Sequence, residues 1–121
     1  MTARFRAAAP VLPEQIVVSS GLTCTAEMVA YTLGNPGDGF LVGRPLYSAF
    51  PNDFYARAKV HVVPVGFAAT DPFAASCVGF YEAALRKWNA KPGDGRVRAL
   101  VIVNPHNPLG MCFRHRRGMG S

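Results

Sequence analysis

Val101-Ile-Val-Asn-Pro-His-Asn-Pro-Leu-Gly110 is an apolar run that stops at two Asn-Pro pairs and a glycine. Residues 97–103 include Ala99-Leu-Val-Ile-Val103, in which apolar and polar positions do not alternate. This predicts a strand covered on both faces. Proline lacks a backbone N–H and fixes φ, so Pro105 and Pro108 end the strand and stiffen a double turn. In such a turn each Asn side chain is held in place and cannot readily fold back on its own backbone. Such a turn can therefore deliver an amide donor to one spot, a constraint that an idle exposed loop does not need. His106 lies between the prolines with no nucleophile or carboxylate assignable to it, and reads as a turn residue.

Upstream, residues 15–19 are β-branched and bounded by Pro13 and Ser20-Gly21, which predicts a buried strand. Ala26, Val29, Ala30 and Leu33 share one face of a helix over residues 23–33, with Thr23 as N-cap and Gly34 and Pro36 as the stop. Pro36-Gly-Asp-Gly39 turns into a second strand, residues 40–42, closed by Gly43 and Pro45. Residues 47–58 read as a helix with Pro51 in its first turn. Residues 60–65 read as a third strand with Pro64 marking its end. A further helix is expected from about residue 74 to 90, with Phe80, Ala83, Ala84, Leu85 and Trp88 facing inward. Pro92-Gly-Asp-Gly95 repeats the earlier turn ahead of the last strand. The flanking residues do not match, so this is one turn chemistry used twice and not a duplicated domain. Strands alternating with helices define an α/β fold, a parallel sheet with crossover helices.

The 121 residues, half of them hydrophobic, suffice for one core and one domain. No apolar run is long enough to span a bilayer, so a soluble chain is expected, with no membrane partner. Cys24, Cys77 and Cys112 are odd in number and widely spaced, fitting neither a disulfide framework nor a zinc site. No metal is expected, and a reducing, cytoplasmic setting is the simpler inference. MTARFRAAAPVL has arginine and alanine without acid, but it is short and lacks the serine content of a transit peptide. The net charge of +6 resides mainly at the ends, on Arg4, Arg6, Arg114, Arg116 and Arg117. With no aromatic-basic platform or helix-turn-helix pattern, nucleic acid is not the expected partner.

Ligands of parallel sheets bind beyond the carboxyl ends of the strands. After the first expected strand, Gly21 allows close approach, and the N–H groups of Leu22 and Thr23, with the Thr23 hydroxyl, lie at the positive end of a helix. That set can hold a phosphate, although taken alone it reads as an ordinary helix cap. After the second, Tyr47 can lay its ring on a flat heteroaromatic ligand, a gain on the order of 1 kcal/mol beyond burial. Taken alone it reads as a core or rim tyrosine.

Together IVVSSGLTCTAE, NPGDGFLVGRPLYSAF, KVHVVPV and RALVIVNPHNPLG resemble the cofactor domain of fold-type I pyridoxal-phosphate enzymes, the class I and II aminotransferases. Within these the chain is most similar to the branch of 1-aminocyclopropane-1-carboxylate synthases and their fungal relatives. The resemblance implies a partial three-layer α/β sandwich with a mostly parallel sheet, a fragment of the aminotransferase large domain. It divides the chain into a lead-in (1–12), a partial pyridoxal-phosphate-binding domain (13–110) and a basic divergent tail (111–121). It further implies pyridoxal 5′-phosphate as cofactor, with Leu22 and Thr23 at its phosphate, Tyr47 stacked on its ring and Asn107 bonded to the ring 3′-oxygen. Those groups should then converge on one pocket.

The chain departs from the resembled synthases in having Leu46-Tyr47 where two tyrosines are usual, and Gly43 where they have proline. The family's cofactor-bonding lysine, its aspartate partner for the pyridine nitrogen and its substrate-binding arginine all follow the NPLG motif. Lys59, Lys87 and Lys91 lie in other contexts. After Gly110, MCFRHRRGMGS reads as the tail of a truncated chain or a misread gene. The expectation is a chain without activity of its own, or a noncatalytic fragment that binds cofactor, self-associates or pairs with a full-length relative. A partial sheet leaves an edge open for that. In the longer family, the substrates are amino acids and the chemistry is transamination or carbon–sulfur lysis.

Overall fold

In the computed structural model, residues 9–93 and 95–113 are described. The expectations for residues 1–8, for Asp94 of the second turn and for the arginines of the tail lie outside them.

Three strands, β1 (Gly39–Gly43), β2 (His61–Val65) and β3 (Val97–Val101), form one parallel sheet in the order β2-β1-β3. Three helices, α1 (Leu22–Leu33), α2 (Phe50–Tyr55) and α3 (Val78–Asn89), complete the fold, with 3-10 turns at Pro13–Gln15 and Ala75–Cys77. The central strand is buried throughout. Its side chains alternate between faces, as a strand's must. Phe40 and Val42 pack with Ala26 and Ala30 of α1, Phe50 and Phe54 of α2, and Ala58 and Val60. Leu41 packs oppositely with Val63, Val65, Phe67 and Cys77, covered by Phe80, Tyr81, Ala84, Leu85 and Trp88. Helices thus lie on both faces of the sheet, the layering of an α/β fold. Phe40 and Val60 are fully buried, each worth about 1.5–3 kcal/mol in water-excluded area.

The two Pro-Gly-Asp-Gly turns pack against each other. A Cβ on Gly95 would run into the backbone of Gly37, and the Gly39 N–H donates to the Arg96 carbonyl at 2.9 Å. The buried Asp38 carboxylate accepts from the N–H of Arg96 (2.7 Å), the N–H of Asn35 (2.9 Å) and Nε of Arg98 (2.8 Å). A register irregularity between Gly39 and Phe40 makes Arg98 the extra residue of β3 and turns its side chain toward Asp38.

Several local expectations are corrected. Residues 15–19 form no strand: a 3-10 turn ends at Gln15, and Val17 and Val18 are 81% and 90% exposed. A β-branched run becomes a strand only where a ladder partner exists, and none of the three described strands pairs with it. Thr23 is not the N-cap. Gly21, at φ 95°, holds that position without a side-chain cap bond, and the helix starts at Leu22. The helix expected over 47–58 is shorter, with Pro51 in its first turn, and Tyr47 precedes it. Pro64 lies inside β2 and not at its end; an edge strand tolerates a proline whose absent N–H would face solvent. Ala83 faces outward and Tyr81 inward. β3 ends at Val101 and is not covered on both faces, because it is an edge and Leu100 and Ile102 remain half exposed.

Candidate functional site

The carboxyl ends of β1 and β3 converge. Beyond β1 the chain turns through Arg44 and Pro45 to Tyr47, whose ring meets Phe50 edge-on at 5.3 Å. Beyond β3, the 104–110 turn doubles back: Gly110 N–H donates to the His106 carbonyl, and His106 N–H to the Met111 carbonyl, both at 2.7 Å. Leu109 N–H reaches His106 Nδ1 at 3.4 Å. Asn104 Oδ1 accepts the Phe113 N–H at 3.0 Å, so this amide is spent within the loop. Asn107 is exposed, and among the described residues its carboxamide makes no protein hydrogen bond.

Tyr47 and Asn107 line one cavity with Phe67, Tyr81, His106 and Phe113. Its volume is about 10 Å³. Leu22 lines a different space, an apolar groove of about 510 Å³ between α1, α2 and β3 that reaches Asn104. The two spaces share Phe50 and Val101, Ile102 and Val103 as a common wall. Thr23 is exposed and lines neither. The structure thus joins Tyr47 to Asn107, sets Leu22 next door and leaves Thr23 outside, so the four do not converge on one pocket.

Tyr81, Phe67, Phe73 and Phe113 were not singled out by the motifs. Tyr81 carried a signal, since it shares the helical stripe of Ala84, Leu85 and Trp88. Its hydroxyl lies over Gly43, where a Cβ would collide with it and with Phe67. Burial, and then the neighbouring Cys77, push the Tyr81 hydroxyl above its ordinary pKa, so it stays a neutral donor. Burial and then Asp71 likewise raise the Cys77 thiol, which donates to the Asp71 carbonyl. Phe113 offered no periodic pattern from which to place it.

None of the lysines faces the cavity. Lys59 Nζ donates to the Ala56 carbonyl at 2.8 Å, Lys91 sits 3.9 Å from the centre of the Trp88 ring, and Lys87 borders a shallow cleft beside Trp88. Among the described residues, no group of three His, Cys, Asp or Glu is placed to hold a metal ion, and no helix is long and apolar enough to cross a membrane.

A parallel α/β sheet whose Asn-Pro-His-Asn-Pro-Leu-Gly turn and aromatic line one cavity past the strand ends is matched by sequence comparison: the chain belongs to the family of class I and II aminotransferases, which it matches over residues 2–117. The match runs past Gly110. The chain is similar to 1-aminocyclopropane-1-carboxylate synthase 6 of Arabidopsis thaliana, 43% identical over 98 residues, covering 81% of this chain and 19% of that protein. Its identity to 1-aminocyclopropane-1-carboxylate synthase 1 of Prunus mume is 40% over 98 residues, and to synthase 2 of Arabidopsis thaliana 38% over 98 residues. Each again covers 81% of this chain and 19% of the relative. The chain spans about a fifth of the length of these curated relatives.

Membership implies pyridoxal 5′-phosphate. The donor chemistry suits that group: an aromatic ring, an unspent carboxamide and the uncapped helix start at Gly21. The space does not. Ligand pockets run to roughly 300 Å³ or more, whereas about 10 Å³ between Tyr47 and Asn107 holds a single water. As arranged, these residues do not fit the cofactor.

Proposed function

We propose that this chain forms part of the cofactor domain of a pyridoxal-phosphate-dependent aminotransferase-type protein. In the longer family the substrates would be amino acids, and the reaction transamination or the carbon–sulfur lyase chemistry of a synthase. Tyr47 would face the pyridine ring, Asn107 its 3′-oxygen, and Leu22 and Thr23 the phosphate. We further infer that the 121 residues have no activity by themselves. The observation that carries the reading is that Tyr47 and Asn107 line one cavity past the ends of β1 and β3 while all three lysines lie elsewhere. Such a cofactor supplies the electron sink, and the protein must bring a lysine to it. Incubation with pyridoxal 5′-phosphate, borohydride reduction and mass spectrometry should show no stoichiometric adduct on Lys59, Lys87 or Lys91. A stoichiometric adduct on any of them would overturn the inactivity.

A second reading, a noncatalytic fragment that self-associates or pairs with a full-length relative, is favoured by the open edge of β3. Leu100 and Ile102 are 49% and 50% exposed there, beside the apolar groove. Apolar side chains on an uncovered edge promote association. Sedimentation should show dimers or larger species that Ile102→Lys reduces. A clean monomer at high concentration would remove this reading.

A further inference from the structure

The misfit between the cavity and the cofactor has a structural source. Past Gly110 the chain bends back, and the Phe113 N–H bond to Asn104 Oδ1 anchors the bend. The Phe113 ring then packs on Phe73, with centroids 4.8 Å apart, and Phe73 in turn meets the His106 ring at 5.5 Å. His106 and Phe113 are 6.4 Å apart and both line the cavity that Tyr47 and Asn107 share. The three rings thus form one cluster, of which His106 and Phe113 line the cavity.

We propose that residues 111–113 are a strap that closes the ring site, with Phe113 occupying space that must be vacated before a six-membered heteroaromatic ring can lie between Tyr47 and Asn107. This rests on the reading of that cavity as the ring site. The strap is lightly held. Met111 and Cys112 are exposed, and among the described residues its hydrogen bonds are the Phe113 and Met111 links to the 104–106 turn. Segments with few buried contacts and solvent-exposed hydrogen bonds open at low cost. A ligand that needs the open form then binds with an affinity reduced by the fraction of molecules that are open.

The test uses the full chain, the Phe113→Ala variant and the Phe113→Leu variant, which keeps most of the side-chain volume, each checked for folding by circular dichroism. Two probes are titrated: pyridoxal 5′-phosphate, followed by fluorescence, and phenol, followed by its effect on Tm. Replacing a packed ring by alanine leaves an apolar space that a small aromatic can fill. The strap predicts that Phe113→Ala binds pyridoxal 5′-phosphate on the order of tenfold more tightly than wild type. It also predicts that phenol raises the Tm of that variant alone, with Phe113→Leu close to wild type. Equal cofactor affinity in wild type and Phe113→Ala overturns the strap and leaves the cofactor reading standing. If neither protein binds the cofactor while phenol stabilises only Phe113→Ala, the strap stands and the cofactor reading falls. Phenol acting on all three proteins alike, or on none, overturns the strap.

Discussion

Asp38 and Arg98, sixty positions apart, meet at 2.8 Å between carboxylate and Nε. Their contact joins the turn before the central strand to the extra residue of β3. Around it, two backbone N–H groups complete the coordination of a carboxylate that is only 2% exposed. The clip fixes the register of β3 against β1, and through it the place where the Asn-Pro turn emerges.

Asp38→Ala should therefore destabilise the fold by about 3 kcal/mol, because it strips a buried acceptor from three donors at once. Urea denaturation monitored by circular dichroism reads this directly as a lower midpoint at unchanged slope. A cost below about 0.5 kcal/mol would mean that the clip is dispensable.

The same carboxylate sets an acid limit. Burial alone would raise its pKa, but the bonds from Arg96, Asn35 and Arg98 outweigh burial and hold it below the ordinary 3.8. A group whose folded pKa is depressed contributes fully above its unfolded value and loses that contribution as pH falls toward the folded one. Wild type should lose stability faster than Asp38→Asn on acidification below pH 3.8. The two should run parallel above it. Parallel acid titrations throughout would contradict the assignment.

Gly43 and Tyr81 form a pair. A Cβ at position 43 collides with the Tyr81 hydroxyl and lies 2.9 Å from the Phe67 ring, so Gly43→Ala should cost about 1–3 kcal/mol. Adding Tyr81→Phe removes only the first collision. The double variant should recover part of the loss, and the coupling is read from a thermal double-mutant cycle. Simple additivity would show that the two positions do not touch.

Val17 and Val60 invert what composition suggests. Val17 is 81% exposed and Val60 fully buried, so Val17→Thr should change stability by no more than about 0.5 kcal/mol. Val60→Ala should cost about 2–3 kcal/mol through the cavity it leaves. A large loss at Val17 would restore a packed strand at residues 15–19.

What could be read in the sequence follows from what each segment depends on. β1 depends on local turn chemistry and a continuous apolar run, and it emerged at Gly39–Gly43, around the expected residues 40–42, whereas β3 stopped at Val101, two residues short of the expected 103. The meeting of Tyr47 and Asn107 follows from the rule that parallel strands present their following loops on one side. The failures depend on partners. Residues 15–19 have the side chains of a strand, but pattern cannot say whether a neighbouring strand is there to pair with them. Residues 97–103 look doubly covered, yet α3 packs over β1 and leaves Leu100 half exposed. Phe113 joins the cavity through a bond to Asn104, nine positions back, a contact that leaves no trace in Met111-Cys-Phe113. Thr23 has the chemistry of a cap, and the backbone of Gly21 took the position instead.

The most direct measurement follows the Asn107 side-chain amide by ¹H–¹⁵N correlation while pyridoxal 5′-phosphate is added to the full chain carrying Phe113→Ala. A saturable shift of that NH₂ pair, weakened in a Tyr47→Ala background, is the predicted result. Shifts confined to the backbone around Lys59, Lys87 and Lys91, with Asn107 silent, would contradict the placing of a cofactor ring between Tyr47 and Asn107.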